Sequence, residues 1–232
     1  MRPCFPLLCV LLHATLTTWS LPLLAADAGT VQQMSGTVTV IGTDKKTRIA
    51  GVREKILSGE TLQTAPRSEA LIKMADDSSV VLRPNTQFQI TDFKFDQKPS
   101  DSSIVSILRG TARMVSGLIG KNNPTQVAVR ASTATIGIRG TDFEVSVVSE
   151  DTADARAGVY NLVHDGGTNI KIAAGQSLDV RKDQTAFAPD NPRPGEEALQ
   201  ILRETPIFLQ QGGGLDALIQ SIIMQPPPMI FR

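Results

Sequence analysis

From Val31 to Phe187 the chain alternates apolar and polar residues, the spacing at which one face of a β-strand meets a core and the other meets water. Thr37-Val38-Thr39-Val40-Ile41 alternates in this way, as does Phe88-Gln89-Ile90-Thr91 with the Phe93-Lys94-Phe95 that continues it. Ile104-Val105-Ser106-Ile107-Leu108, Val127-Ala128-Val129 and Phe143-Glu144-Val145-Ser146-Val147-Val148 are short and rich in β-branched residues. Val159-Tyr160-Asn161-Leu162-Val163 and Ile170-Lys171-Ile172 follow. Clusters of Gly, Asn, Asp and Pro separate the runs, the punctuation of strands and turns. No stretch in this region sustains a helical period over three turns. The expected class is all-β. Gly42 to Lys55, Asp96 to Ser103 and Gly117 to Thr125 read as loops or turns, and Ser149 to Gly158, acidic and Ala-rich, as an exposed hairpin tip.

Glycines recur beside a hydroxyl, amide or carboxyl side chain: Gly36-Thr37, Gly59-Glu60-Thr61, Gly110-Thr111, Gly140-Thr141, Gly167-Thr168 and Gly175-Gln176. Arg109-Gly110-Thr111 and Arg139-Gly140-Thr141 lie 30 residues apart. Two readings stay open: a degenerate β repeat with a bend at each glycine, or simply the corners that any all-β fold needs.

The pattern changes after Phe187. Pro189-Asp190-Asn191-Pro192-Arg193-Pro194-Gly195 reads as a linker. Glu196 to Arg203 has acidic residues first and arginine last, as a helix dipole prefers, and is expected as a short helix. Gly212-Gly213-Gly214 breaks the chain before a second amphipathic stretch, Leu215 to Met224. Helices this short need a surface to dock on. They either cap an open end of the β domain or form a partner-binding tail.

Composition narrows the class of protein. Lys+Arg and Asp+Glu number 23 each, so the net charge is zero and no long-range field draws the chain to nucleic acid or an anionic membrane. No nucleic-acid partner is expected. Hydrophobic residues at 41% with charged residues at 20% fit a folded domain. Arg2, the apolar run Phe5 to Leu24 and the small-x-small Ala26-Asp27-Ala28 fit a secretory signal over residues 1–28, cut after Ala28. The alternative is an uncleaved anchor, since about twenty residues just span a bilayer; Pro22 and the Ala-rich end favour cleavage. Neither Cys4, after Pro3, nor Cys9, after Leu8, has the small residue that a lipoprotein signal places before its cysteine. Cleavage leaves roughly 204 residues with no cysteine and no tryptophan. Disulfides, thiolate metal ligands and a cysteine nucleophile are then excluded. The expected location is periplasmic or secreted. The expected domains are a β domain over 29–188 and a linker with short helical tail over 189–232.

Catalytic constellations are sparse. His164 has Asp165 beside it, but adjacent strand residues point to opposite faces, so Asp165 is poorly placed to orient it. His164 reads as an exposed residue at the turn before Gly166-Gly167. Asp142 and Glu144 share a strand face, which an outward polar face explains. Asp76-Asp77-Ser78 carries oxygens but too few for a calcium site on its own. There is no Gly-x-Ser-x-Gly, phosphate loop or zinc spacing. No cofactor, metal or catalytic residue is expected. Sugar sites stack aromatic rings, and one tyrosine, Tyr160, is a thin supply for that.

One segment stands out: Ala131-Ser132-Thr133-Ala134-Thr135-Ile136-Gly137-Ile138-Arg139-Gly140-Thr141-Asp142-Phe143. It resembles the T-P-x-A-x-x-G-V-R-G-T-x-F signature of the FecR domain family. Other stretches resemble family landmarks in the family's order: Gly36-Thr37-Val38, Ile56 to Thr64, Ser68 to Val80, Leu82-Arg83-Pro84-Asn85-Thr86 ("L-x-P-x-T"), Leu108 to Ala112, and Ala174-Gly175-Gln176. The resemblance spans roughly residues 30–180. Ser132 stands in place of the usual Pro, Asp77-Ser78 in place of Asp-Gly, and the Gly166-Gly167 region is shorter than usual. The resemblance implies an elongated, twisted all-β fold, solenoid-like or a roll, with a β-sandwich as the alternative. It also implies a free-standing exported member, without sigma-binding or internal membrane-spanning regions, that works by interaction.

Within the signature, Gly137 and Gly140 permit close backbone approaches or positive φ. Arg139 offers a planar fork of donors, either as an internal clamp or as a partner contact. Thr141 can bond the turn it leaves, and Phe143 is expected in the core. The expected function is a non-catalytic module for protein–protein interaction or envelope signalling. A cell-envelope structural or wall-polymer-binding module is the alternative, and a hydrolase using His164 a third.

Overall fold

The computed structural model describes residues 26–217 and 219. The expected signal, up to Ala25, and the end of the second tail helix lie outside them. Among the described residues no helix is long and apolar enough to cross a membrane.

The fold is all-β, in two layers. The strands are β1 (Asp27–Ser35), β2 (Val38–Ile41), β3 (Thr47–Ile49), β4 (Lys55–Leu57), β5 (Thr61–Thr64), β6 (Glu69–Met74), β7 (Ser79–Leu82), β8 (Gln87–Lys94) and β9 (Ser102–Val115). Then come β10 (Val127–Ala131), β11 (Ala134–Ile138), β12 (Asp142–Val148), β13 (Gly158–Asp165), β14 (Gly167–Ile172), β15 (Ser177–Arg181), β16 (Thr185–Pro189) and β17 (Gln200–Ile201). The first layer runs β4-β1-β6-β7-β9-β12-β13-β16-β17. The second runs β3-β2-β5-β8-β9-β10-β11-β14-β15. The chain crosses between the layers every one or two strands and advances from one end to the other, so it winds as a roll. All pairings are antiparallel except β9 with β10.

The strand β9 belongs to both layers. Ser102 to Arg109 pairs with β8 in the second layer, and Gly110 to Val115 pairs with β12 in the first. Gly110 makes the corner. Its φ is +82°, and a Cβ there would fall 2.6 Å from the Thr86 Cα, so only glycine fits.

Alternation delivers the core between the layers. Ala70, Ile72, Val80, Leu82, Ala112, Phe143 and Val145 face inward from the first layer. Phe88, Ile90, Val105, Ile107, Val129, Ile136 and Ile170 meet them from the second. Each such Val, Leu, Ile or Phe side chain contributes ~1.5–3 kcal/mol by burial. A hydrogen bond also crosses the core: Thr168 Oγ1 donates to Asn161 Oδ1 at 2.5 Å.

Three local expectations differ from the structure. Gly42 to Lys55 contains β3 and begins β4. Gly117 to Thr125 folds as α1 (Leu118–Asn122) and the start of a 3-10 turn, Pro124–Gln126, because Ile119 is drawn into the core and Leu118 N–H bonds the Asp76 carbonyl. At the Asp76-Asp77-Ser78 turn, Asp77 takes φ +66°, and Asp76 Oδ1 accepts from Ser78 N and Oγ, closing a tight turn. Finally, Glu196 to Arg203 is not helical. Leu199 enters the core and Gln200–Ile201 pairs with β16, since an open sheet edge outweighs the weak preference of a two-turn helix. A short helix, α2 (Ile207–Gln210), forms later.

Candidate interaction face

The outer face of the first layer holds charge that water does not reach. Outward positions of β9 and β12 carry Arg113, Asp142 and Glu144, and Arg83 follows β7; all four are buried. Register sets Arg113 directly opposite Glu144, yet the pairs that form are diagonal, within reach of long side chains. Arg113 donates from Nε to Asp142 Oδ1 at 2.9 Å and from NH2 to Oδ2 at 2.6 Å. Arg83 reaches past β9 and donates from Nε to Glu144 Oε1 at 3.2 Å and from NH2 to Oε2 at 3.0 Å. Both contacts are bidentate, the strong form of this pair.

Each arginine therefore keeps NH1 free of the sheet, and both NH1 groups turn to one further carboxylate, Asp216 of the tail. Arg83 NH1 lies 2.6 Å from Asp216 Oδ2, and Arg113 NH1 lies 3.6 Å from Oδ1. Burial pulls both guanidinium groups toward losing their charge. Glu144 and Asp216 at Arg83, and chiefly Asp142 at Arg113, more than offset it and hold both above the ordinary arginine value.

The tail lies over this cluster. Leu215 and Ile219 pack on Leu71 and Val81. Glu69 Oε2 accepts the Leu215 N–H at 3.1 Å, and Asp216 Oδ2 accepts the Gly213 N–H at 2.6 Å. The backbone passes so close that a Cβ on Gly213 would fall 2.0 Å from Glu69 Oε1. Further along the same face, α2 adds Leu209 to a second apolar cluster with Tyr160, Leu162 and Phe187. Tyr160 stacks on Phe187 at 4.4 Å and meets Phe208 edge-on at 5.2 Å. Burial pushes the Tyr160 hydroxyl above its ordinary value. Arg156 lies over the Phe187 ring and pairs with Glu196. That pair, with the Arg193 N–H, holds the Glu196 carboxyl below the usual range.

The signature residues sit elsewhere. Gly137, in β11, has neither positive φ nor a close neighbour: a Cβ would come no nearer than 3.9 Å to another atom, which corrects the expectation for it. Gly140 has φ +67° at the bend that follows β11. Arg139 is no internal clamp. Its side chain is 71% exposed on the outer side of the second layer, with NH2 3.7 Å from Asp179 Oδ1. The Thr141 N–H donates to Ser116 Oγ at 2.8 Å, while the buried Thr141 hydroxyl has no partner. Phe143 is in the core. His164 is less exposed than its place before a turn implies: Nε2 is buried, 3.5 Å from Glu144 Oε2. Asp165 points away, toward Lys182.

Sequence reading found Asp142 and Glu144 but not their partners. Arg83, Arg113 and Asp216 lie 61, 29 and 133 residues from the groups they bond. The available signal was an arginine breaking an otherwise apolar run, in Val80-Val81-Leu82-Arg83 and Ala112-Arg113-Met114-Val115.

The family model described as FecR protein matches residues 60–176, just over half of the chain. The chain belongs to the FecR family. Two crystal structures, each described as a "putative anti-sigma factor" from Parabacteroides distasonis, share the fold. One has a TM-score of 0.50 at 14% identity and covers 65% of this chain and 62% of its own. The other has a TM-score of 0.50 at 13% identity and covers 69% of this chain and 71% of its own. The chain thus spans less than two thirds of the first neighbour's length. No curated protein matches the chain.

Proposed function

We propose that this chain is an exported, non-catalytic FecR-type module that binds a protein partner in the cell envelope and serves signalling or sensing there. The observation that carries the reading is the state of its charged cluster. Asp142 and Glu144 each accept two arginine hydrogen bonds, so neither is free to act as acid or base. His164 has a carboxylate near Nε2, but no nucleophile is bonded to it and Asp165 is turned away. The family and its anti-sigma-like fold neighbours point the same way. Export rests on the N-terminal segment, which lies outside the described residues.

The test is in-cell crosslinking of the tagged full chain, followed by affinity purification and mass spectrometry. One envelope protein recovered with the chain and absent from controls is expected. Recovery of wall polymer instead would move the chain to the envelope structural or polymer-binding class. An unchanged phenotype on His164→Ala is expected; lost hydrolytic activity would overturn the non-catalytic reading.

A further inference from the structure

We propose that Arg83 and Arg113 form a carboxylate socket, and that its ligand in a partner is an acidic amphipathic helix. This helix would present one Asp or Glu beside an aliphatic residue, with a second aliphatic residue about one turn on. The inference rests on the interaction-module reading and locates its binding site.

The socket is complete without the tail. Nε and NH2 of each arginine are spent on β12, on Glu144 and Asp142 respectively, and this fixes both planar groups in place. The two remaining NH1 groups converge from different strands on a single point. Asp216 lies at that point: its Oδ2 accepts a hydrogen bond from Arg83 NH1 at 2.6 Å, and its Oδ1 makes a longer ionic contact with Arg113 NH1 at 3.6 Å. With the tail in place both arginine side chains are at least nine-tenths buried, at 10% and 7% exposure. A carboxylate brought in by a segment that covers the face as the tail does meets donors already oriented.

The flanking surface sets the rest of the pattern. Leu71 and Val81 receive Leu215 and Ile219, which sit four residues apart with the acid directly after the first. Glu69 accepts the Leu215 N–H at the start of the segment. The tail is therefore an internal ligand that displays the chemistry the socket selects. It is tethered through Gly212-Gly213-Gly214, whose backbone turns freely once the contacts of Gly213, Leu215 and Asp216 are released. A partner helix of the same pattern competes with it, and the tail sets the threshold affinity that the partner must exceed.

The probe is a fluorescent peptide with the sequence of residues 211–224, titrated by anisotropy into the full-length protein. A second peptide carries Asn in place of the aspartate. The protein is compared with its Asp216→Asn variant, in which the internal ligand has lost its charge and both arginines remain. The acidic peptide is expected to bind Asp216→Asn at least tenfold more tightly than wild type. It is also expected to bind that variant at least tenfold more tightly than the Asn peptide does. The peptide substitution cannot unfold the protein, so that comparison stands even if the variant loses stability. Equal binding of both peptides, binding of neither to Asp216→Asn, or equal binding of the acidic peptide to both proteins overturns the proposal. The assay uses purified components, so peptide binding without an envelope partner in cells would retain the socket and reject the functional reading. A captured partner without peptide binding would do the reverse.

Discussion

Replacing Arg113 by Met should be among the most damaging single changes outside the core. The guanidinium is 7% exposed and serves Asp142 with two hydrogen bonds and Asp216 with a third, weaker contact. Removal leaves Asp142, also 7% exposed, as a buried carboxylate without its cation. Breaking a buried pair from one side costs about 3–5 kcal/mol. At ~2–4 °C per kcal/mol for a chain of this size, Tm should fall by roughly 6–20 °C. Asp142→Leu alone should cost less, because Arg113 then turns to Asp216 and Glu144. The double variant removes both charges and should lie well above the sum of the singles, with a coupling of at least about 2 kcal/mol. It should not return to wild type, since Asp216 loses one of its two arginines. Urea and thermal melts of the four proteins by circular dichroism give the cycle. A coupling below about 1 kcal/mol, the range of an exposed ion pair, would refute the claim that this face is desolvated.

Other consequences follow from the same geometry. Gly110→Ala should destabilise by more than about 2 kcal/mol, since it strains φ and drives a Cβ into Thr86; Gly137→Ala, in open space at ordinary φ, should be within about 0.5 kcal/mol of wild type, and similar losses for both would contradict the corner assignment. Leu209→Ala should loosen α2 from Tyr160 and Phe187, read as faster proteolysis near residues 205–214 with little change in global Tm; a full global loss would mean that the tail is part of the core. Because the Glu196 pKa is lowered in the folded chain, its pairing with Arg156 contributes above the unfolded value and is lost as pH falls through the folded one. Hydrogen-exchange protection of residues 193–202 should therefore hold as pH falls from 7 and drop only below the ordinary glutamate pKa of about 4.3; loss near pH 6 would exclude this pair as the cause. Ala28 is fully buried and its carbonyl accepts the Ala75 N–H, so under the export proposed above, N-terminal sequencing of the mature chain should find cleavage at or before Ala26 rather than after Ala28; a start at Gly29 would show that β1 does without those residues.

The strands were legible because each carries its own period. Ile136 and Ile138 around Gly137, or Val145 and Val147 around Ser146, state which side faces the core without reference to any other strand. The exchange of β9 between layers was half legible: Gly110 marked a bend, but only pairing with β8 and β12 shows that the bend changes sheets. The tail misled for a physical reason. Glu196 to Arg203 has helical local chemistry, and a local pattern carries no information about a vacant edge on β16. The charged face was invisible in kind: polar outward residues mean solvent unless something covers them, and the cover lies 133 residues beyond Arg83. The signature frames Arg139, whose side chain is exposed, while its variable position, Asp142, holds the buried pair.

On the function proposed above, a protein partner meets the outer face of the first layer. Site-specific photo-crosslinking in cells tests it most directly, with the reactive group placed in turn at Ile207 and at Ile49. Ile207 is 69% exposed on α2, and Ile49 is 76% exposed on the edge strand β3 of the other layer. One discrete protein adduct is expected from Ile207 and none from Ile49. An adduct from Ile49 alone, or none from either, would contradict it.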